Sequence, residues 1–173
     1  MKEIFNRRSV RKYTEESVSD EDLKSLLQAA MRAPSAGNEQ PWEFIIFKDQ
    51  EIKEKIMKFH PYAAFLNQAP CCILICGDLN RRKHINNFWV QDCSAAADHM
   101  LLEAEHLGLG AVWIGVYPAQ ERVVACAKLF HTPDHVLPFC IVALGHPAEK
   151  PGPIDTFRPE RIHYEDWNRT DPE

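Results

Sequence analysis

The chain has 173 residues, 45% of them hydrophobic and 26% charged, with a formal net charge of −5. That length suits one folded unit with its own core, and the acidic balance argues against nucleic acid as a partner, which needs a basic face. No apolar run approaches the roughly 20 residues that span a bilayer, and the N-terminal MKEIFNRRSV lacks the apolar stretch of a signal peptide, so the cytoplasm is the expected location and no membrane is expected as a partner.

In chain order, Ser19 with Asp22 three residues later resembles a capping box and opens an amphipathic helix. Its apolar stripe is Leu23, Leu26, Leu27 and Ala30, and Pro34 closes it. Residues 43–49 (EFIIFKD) read as a strand, Gln50–Phe59 as a short helix with Ile52 and Ile56 inward, and 71–77 as a buried strand. A polar loop through Asp78, Arg81, Arg82 and Lys83 follows. Residues 87–107 form the longest helix, with Trp89, Val90, Cys93, Ala95, Ala96, Ala97, Met100, Leu101, Ala104 and Leu107 spread over nearly every side. Such a helix has to be covered all round, and its alanine run lets another helix approach closely. Both features predict a central helix that also enters a dimer interface. Gly108 and Gly110 end it. A strand at 111–114, a helix at Gln120–Phe130 and a strand at 136–144 complete an α+β or α/β sandwich.

The tail after Gly145 is proline-rich and carries Phe157, Ile162, Tyr164 and Trp167. Proline excludes a long helix, and large aromatic side chains are seldom simply solvated. An extended arm across a partner subunit accounts for both features, whereas a loose terminus accounts for the prolines alone.

The six cysteines, Cys71, Cys72, Cys76, Cys93, Cys126 and Cys140, are expected to be buried free thiols. In APCCILIC, successive strand residues face opposite ways, so Cys71 and Cys72 are poorly placed to share an iron–sulfur cluster. Pro133 between His131 and His135 disfavours a helical metal pair. Gly108-Leu109-Gly110 lacks a third glycine and ends a helix instead of opening one, unlike a dinucleotide fingerprint. No metal site is expected.

Four short constellations remain. Arg7-Arg8-Ser9-Val10-Arg11-Lys12 concentrates cations and a hydroxyl suited to phosphate oxygens, unless it is only a solvated basic patch. Ala33 to Trp42 (APSAGNEQPW) is a loop of hydrogen-bonding groups stiffened by Pro34 and Pro41, suited to a planar heterocycle or to an ordinary turn. Trp113-Ile114-Gly115 ends a strand on a glycine that lets a backbone amide approach a ligand. Arg158 is a lone cation in the tail.

In that order and spacing, Arg-Arg-Ser-x-Arg, Pro-Ser-x-x-Asn-x-Gln-Pro-Trp, Trp-Ile-Gly and Gly-His-Pro-Ala-Glu-Lys-Pro with a following arginine resemble the nitroreductase family over nearly the whole chain. The resemblance implies an α+β three-layer sandwich, a mainly antiparallel central sheet flanked by helices. Residues 1–173 would form one FMN-binding domain, with 146–173 as a C-terminal arm swapped in a homodimer that holds FMN at its interface. By position, Arg7, Arg8 and Ser9 look like phosphate and ribityl ligands, and Arg11 like the cation at the flavin pyrimidine edge. Pro34, Ser35, Ala36, Asn38 and Gln40 resemble the loop that meets the ring from the other subunit. Trp113, Ile114 and Gly115 would bring an amide to N5, and Arg158 would reach the phosphate. The implied activity is a ping-pong reductase using NADH or NADPH and a small electron-poor acceptor such as a nitroaromatic or quinone, with no side chain assigned as catalytic. Alternatives are reductive dehalogenation, breakdown of the flavin itself, or a flavin-binding protein without turnover. Larger family members insert a helical excursion that covers the substrate; only about ten residues, 79–88, stand there, which predicts a compact member.

Overall fold

The computed structural model describes residues 2–83, 87–149, 151–152 and 154–170. Lys150 and Pro153 of the tail, and 84–86 of the short 79–88 stretch, lie outside them. Four strands form one sheet: β1 (Trp42–Phe47), β2 (Cys71–Asp78), β3 (Gly110–Gly115) and β4 (Val136–Gly145), in the order β1-β2-β4-β3. All three pairings are antiparallel. The register shifts between Ile75 and Cys76, opposite Pro138, where a central strand lacks an N–H to donate.

Side chains of β2 alternate between two cores, as the pleat requires. Cys71, Ile73 and Ile75 pack with Leu26 and Ala30 of α2 (Asp20–Ala30) and with Cys93, Ala97 and Met100 of α4 (Trp89–His106). Cys72, Leu74 and Cys76 pack on the other face with Ile56 of α3 (Gln50–Phe59) and with Val123 and Cys126 of α5 (Gln120–Phe130). Helices on both faces of an antiparallel sheet make the expected three-layer α+β sandwich. Cys71 and Cys72 do face opposite cores, and among the described residues no group of His, Cys, Asp or Glu is placed to hold a metal.

Ser19 caps α2 as its spacing predicts, accepting from Asp22 N at 3.0 Å. Element ends differ from the sequence reading by one or two residues, as fraying ends do. Two elements lack a periodic signal because they are too short to show one: α1 (Lys2–Asn6) and a 3-10 turn over Ala64–Gln68. A 3-10 turn, Leu79–Arg81, also lies in what reads as plain polar loop. The tail has no long helix, only a 3-10 turn at Pro159–Arg161.

The expectation for α4 needs one correction. Its apolar residues are all buried or partly buried within a single protomer, between the sheet, α2 and α1. The composition of α4 therefore does not by itself require a partner.

Candidate active site

The basic segment runs along the free edge of the sheet. Ser9 forms a parallel bridge with Ala111 of β3, and Val10 N donates to Ala111 O at 3.0 Å. Buried Tyr13 fastens the segment from below, its hydroxyl donating to Val10 O at 2.6 Å. Arg11, two residues past that bridge, and Trp113, two past Ala111, both line the cavity beyond it.

Arg11, Trp113, Ile114 and Gly115 line one cavity of about 410 Å³, a size in the range of small-molecule sites. Four further residues line it that spacing alone does not suggest: His60, Tyr62, Phe65 and Arg122. Arg11 lies over the Phe65 ring at 5.8 Å and Arg122 over the Tyr62 ring at 5.9 Å. Neither arginine is in a salt bridge among the described residues. The cavity therefore presents two uncompensated guanidinium charges and two aromatic faces, a donor set suited to a flat, electron-rich or anionic group.

The wall at the end of β3 is closely defined. A β-carbon on Gly115 would meet nothing within 4 Å, so glycine there leaves open space beside the backbone. His60, 2% exposed, places Nε2 2.8 Å from the Gly115 carbonyl. A carbonyl only accepts, so Nε2 carries the proton. Arg122 Nη1 donates to the same oxygen at 3.1 Å. It also lies 3.4 Å from His60 Nε2, where two donors share one acceptor.

The other expected residues lie elsewhere. Arg7 is partly buried, with its backbone N–H donating to Glu3 O. Arg8 donates to the Gly152 carbonyl and lines a second cavity of about 330 Å³ with Asn6, Val10, Glu105 and Glu149. Pro34, Ser35, Ala36, Asn38 and Gln40 lie between α2 and β1, the edge strand opposite β3, with Ala36 N donating to Asp92 of α4. Three strand spacings, about 14 Å, therefore separate the two edges within one protomer. Arg158 is exposed and donates to its neighbour's carbonyl, Phe157 O, at 2.8 Å. One protomer thus gathers Arg11 and Trp113–Ile114–Gly115, flanked by Ser9, and leaves the 34–40 loop and Arg158 apart.

His60 and Arg122 escape sequence reading for a physical reason. They are 62 positions apart, on α3's C-cap and α5's first turn, and only the sheet order brings them to the same end of β3. The local signal at His60, a histidine and proline closing an amphipathic helix, reads as punctuation.

Known proteins agree with this architecture. The sequence model of the nitroreductase family matches residues 4–60 and 57–146. Over 164 residues the chain is 50% identical to a Methanothermobacter thermautotrophicus protein provisionally named NADH dehydrogenase/NAD(P)H nitroreductase, covering 95% of this chain and 85% of that one. It matches the crystal structure of a provisionally named NADH oxidase of Clostridium acetobutylicum with a TM-score of 0.91 and 44% identity, covering 95% of this chain and 99% of that one. A provisionally named nitroreductase of Desulfovibrio desulfuricans, solved in complex with FMN, matches with a TM-score of 0.82 and 30% identity over 96% of each chain. The chain belongs to the nitroreductase family of oxidoreductases.

Proposed function

We propose that this protein is an FMN-dependent NAD(P)H oxidoreductase that works as a homodimer. The observation that carries the reading is the cavity at the end of β3, where Arg11 and the Trp113–Gly115 backbone meet in a chain of this family. The residues present fit the cofactor: two guanidinium groups without a salt bridge among the described residues, aromatic faces on Tyr62 and Phe65, and open space beside Gly115. When bound there, FMN would supply the redox chemistry, hydride acceptance at N5 from NADH or NADPH and reduction of a small electron-poor acceptor, such as a nitroaromatic or quinone, in a ping-pong cycle.

The chain's own part is binding, orientation and electrostatics. Arg7, Arg8 and Ser9 hold the phosphate and ribityl, and Arg158 reaches the phosphate from the arm. Arg11 sets a fixed positive charge at the edge where reduction adds electron density. Trp113, Ile114 and Gly115 would form the backbone wall of the ring's site. Pro34, Ser35, Ala36, Asn38 and Gln40 complete the site from the second subunit. Their absence from the lining of the cavity in one protomer supports that assignment. The whole chain, 1–173, acts as one FMN-binding domain with 146–173 as its swapped arm. Among the described residues no helix is long and apolar enough to cross a membrane; six buried free thiols support a reducing, cytoplasmic setting.

The test is an absorption spectrum of the purified protein under argon. It should be yellow, or turn so with added FMN, and NADH or NADPH should bleach it. Colourless protein that ignores FMN overturns the reading.

A further inference from the structure

Around the proposed flavin cavity, one arrangement is left over by the motifs. The Gly115 carbonyl is the meeting point of three segments: the end of β3, His60 at the C-cap of α3, and Arg122 in the first turn of α5. His60 is buried, with Nε2 spent on that carbonyl and Nδ1 buried without a partner among the described residues. Arg122 is partly buried, lies over the Tyr62 ring, and keeps its Nε buried without a partner. A partly buried cation with no salt bridge among the described residues gives up hydration without an opposite charge in return, and a merely structural tie to a carbonyl would be met as well by a neutral donor. Arginine here suggests that its charge is used.

We propose that His60 and Arg122 are positioning residues of this site: together they fix the Gly115 peptide at the end of β3, and the Arg122 charge, added to that of Arg11, biases the site toward the reduced form of its flavin. The inference rests on the flavin reading above and goes beyond it by adding two residues outside the family-like motifs. A cation favours whichever form of the bound group carries more negative charge, and the low-polarity wall of a cavity strengthens that preference.

The experiment compares FMN-loaded Arg122→Gln, Arg122→Lys, His60→Gln and His60→Asn with the parent protein. The readouts are FMN dissociation constant by fluorescence, visible absorption of bound FMN, and its midpoint potential by dye-coupled reduction. Melting of each apo protein reports folding separately. Arg122→Gln should bind reduced FMN about tenfold less well relative to oxidised FMN, a fall of about 30 mV for a two-electron couple. Arg122→Lys keeps the charge and should recover most of that potential. His60→Gln, whose amide reaches the Nε2 position, should resemble the parent. His60→Asn, which reaches only the Nδ1 position, should shift the absorption band and weaken FMN binding several-fold. Bound FMN with the parent's potential and spectrum in Arg122→Gln and His60→Asn would overturn the proposal while leaving the flavin reading intact. A parent that binds no FMN overturns both. Should His60→Asn fail to fold, the two Arg122 variants decide.

Discussion

A β-carbon on Gly77 would stand 2.4 Å from Trp89 Cε3, inside any carbon contact, whereas one on Gly115 meets nothing within 4 Å. The first glycine exists for packing and the second leaves a surface clear, so the same substitution separates them. Gly77→Ala should destabilise the apo protein by about 1–3 kcal/mol, the usual range for overpacking a core, measured by denaturant unfolding. Gly115→Ala should leave apo stability nearly unchanged and lower FMN affinity, because its methyl enters the space assigned to the ring. Equal losses of stability in both would refute the distinction. The thiols make a second residue-scale case. All six are buried, and burial pushes Cys76 and Cys126 up to about 12 and Cys71, Cys72, Cys93 and Cys140 upward as well. The thiolate is the reactive species. A disulfide reagent at pH 8 should therefore label native protein very slowly and label six thiols in denaturant.

At the scale of elements, the loop before β1 is held in an unusual shape. Gly37, Asn38 and Gln40 have positive φ of 58°, 54° and 48°, and the two non-glycine residues cost on the order of 1–3 kcal/mol each in such regions. Asp92 in the first turn of α4 helps to hold it, accepting from Ala36 N at 2.9 Å, and Ser35 Oγ accepts from Gln40 N at 3.0 Å. Burial raises the Asp92 carboxyl above its usual range, opposed by the Ala36 N–H and assisted by the Glu39 charge. The folded chain therefore holds this proton more tightly than the unfolded one, and the Asp92 contribution weakens as pH rises from the unfolded carboxyl range, about 4, through the folded value. Asp92→Asn keeps the acceptor and removes the ionisation, so it should gain stability over the parent between about pH 4 and pH 7. Asp92→Ala should lose stability at both. Melting curves at the two pH values check this, and a pH-independent difference for Asp92→Asn would contradict it. These elements also show what local pattern can reveal. The Ser19 cap, the β2 alternation and the long α4 are written in neighbouring residues, so they are read directly. The basic segment and Trp113–Gly115 are likewise visible as motifs. The burial of Asp92 under a loop 56 positions away, and the meeting of His60 with Arg122, depend on sheet order, which no local window contains.

For the whole molecule, the question is what the exposed apolar surface does. Phe157 is 67% exposed, Trp167 79% and Phe5 79%, although most large apolar side chains are buried within the sandwich. The arm is tied to the N-terminal segment through Thr14 N to His146 O, Ala148 N to Lys12 O and the Lys12–Glu149 ion pair. From residue 154 onward, among the described residues, its hydrogen bonds are all internal to the tail. A segment that leaves Phe157 and Trp167 largely exposed in its own protomer is suited to burial against a second copy. The 34–40 loop lines no part of the cavity in one protomer, and on the proposed reading it is the second copy that brings it to the site. Deleting residues 154–173 should therefore leave each protomer folded, since the ties at 146–149 remain. Light scattering should show the parent as a dimer and the truncated chain shifted toward monomer. If the proposed site is right, FMN affinity should fall in parallel, with Arg158 lost and the second subunit's loop no longer held at the site. A truncated protein that stays dimeric and binds FMN as tightly as the parent would exclude the arm from both roles. Loss of FMN with the dimer intact would confine the arm to Arg158 and the phosphate, and leave subunit association to the sandwich.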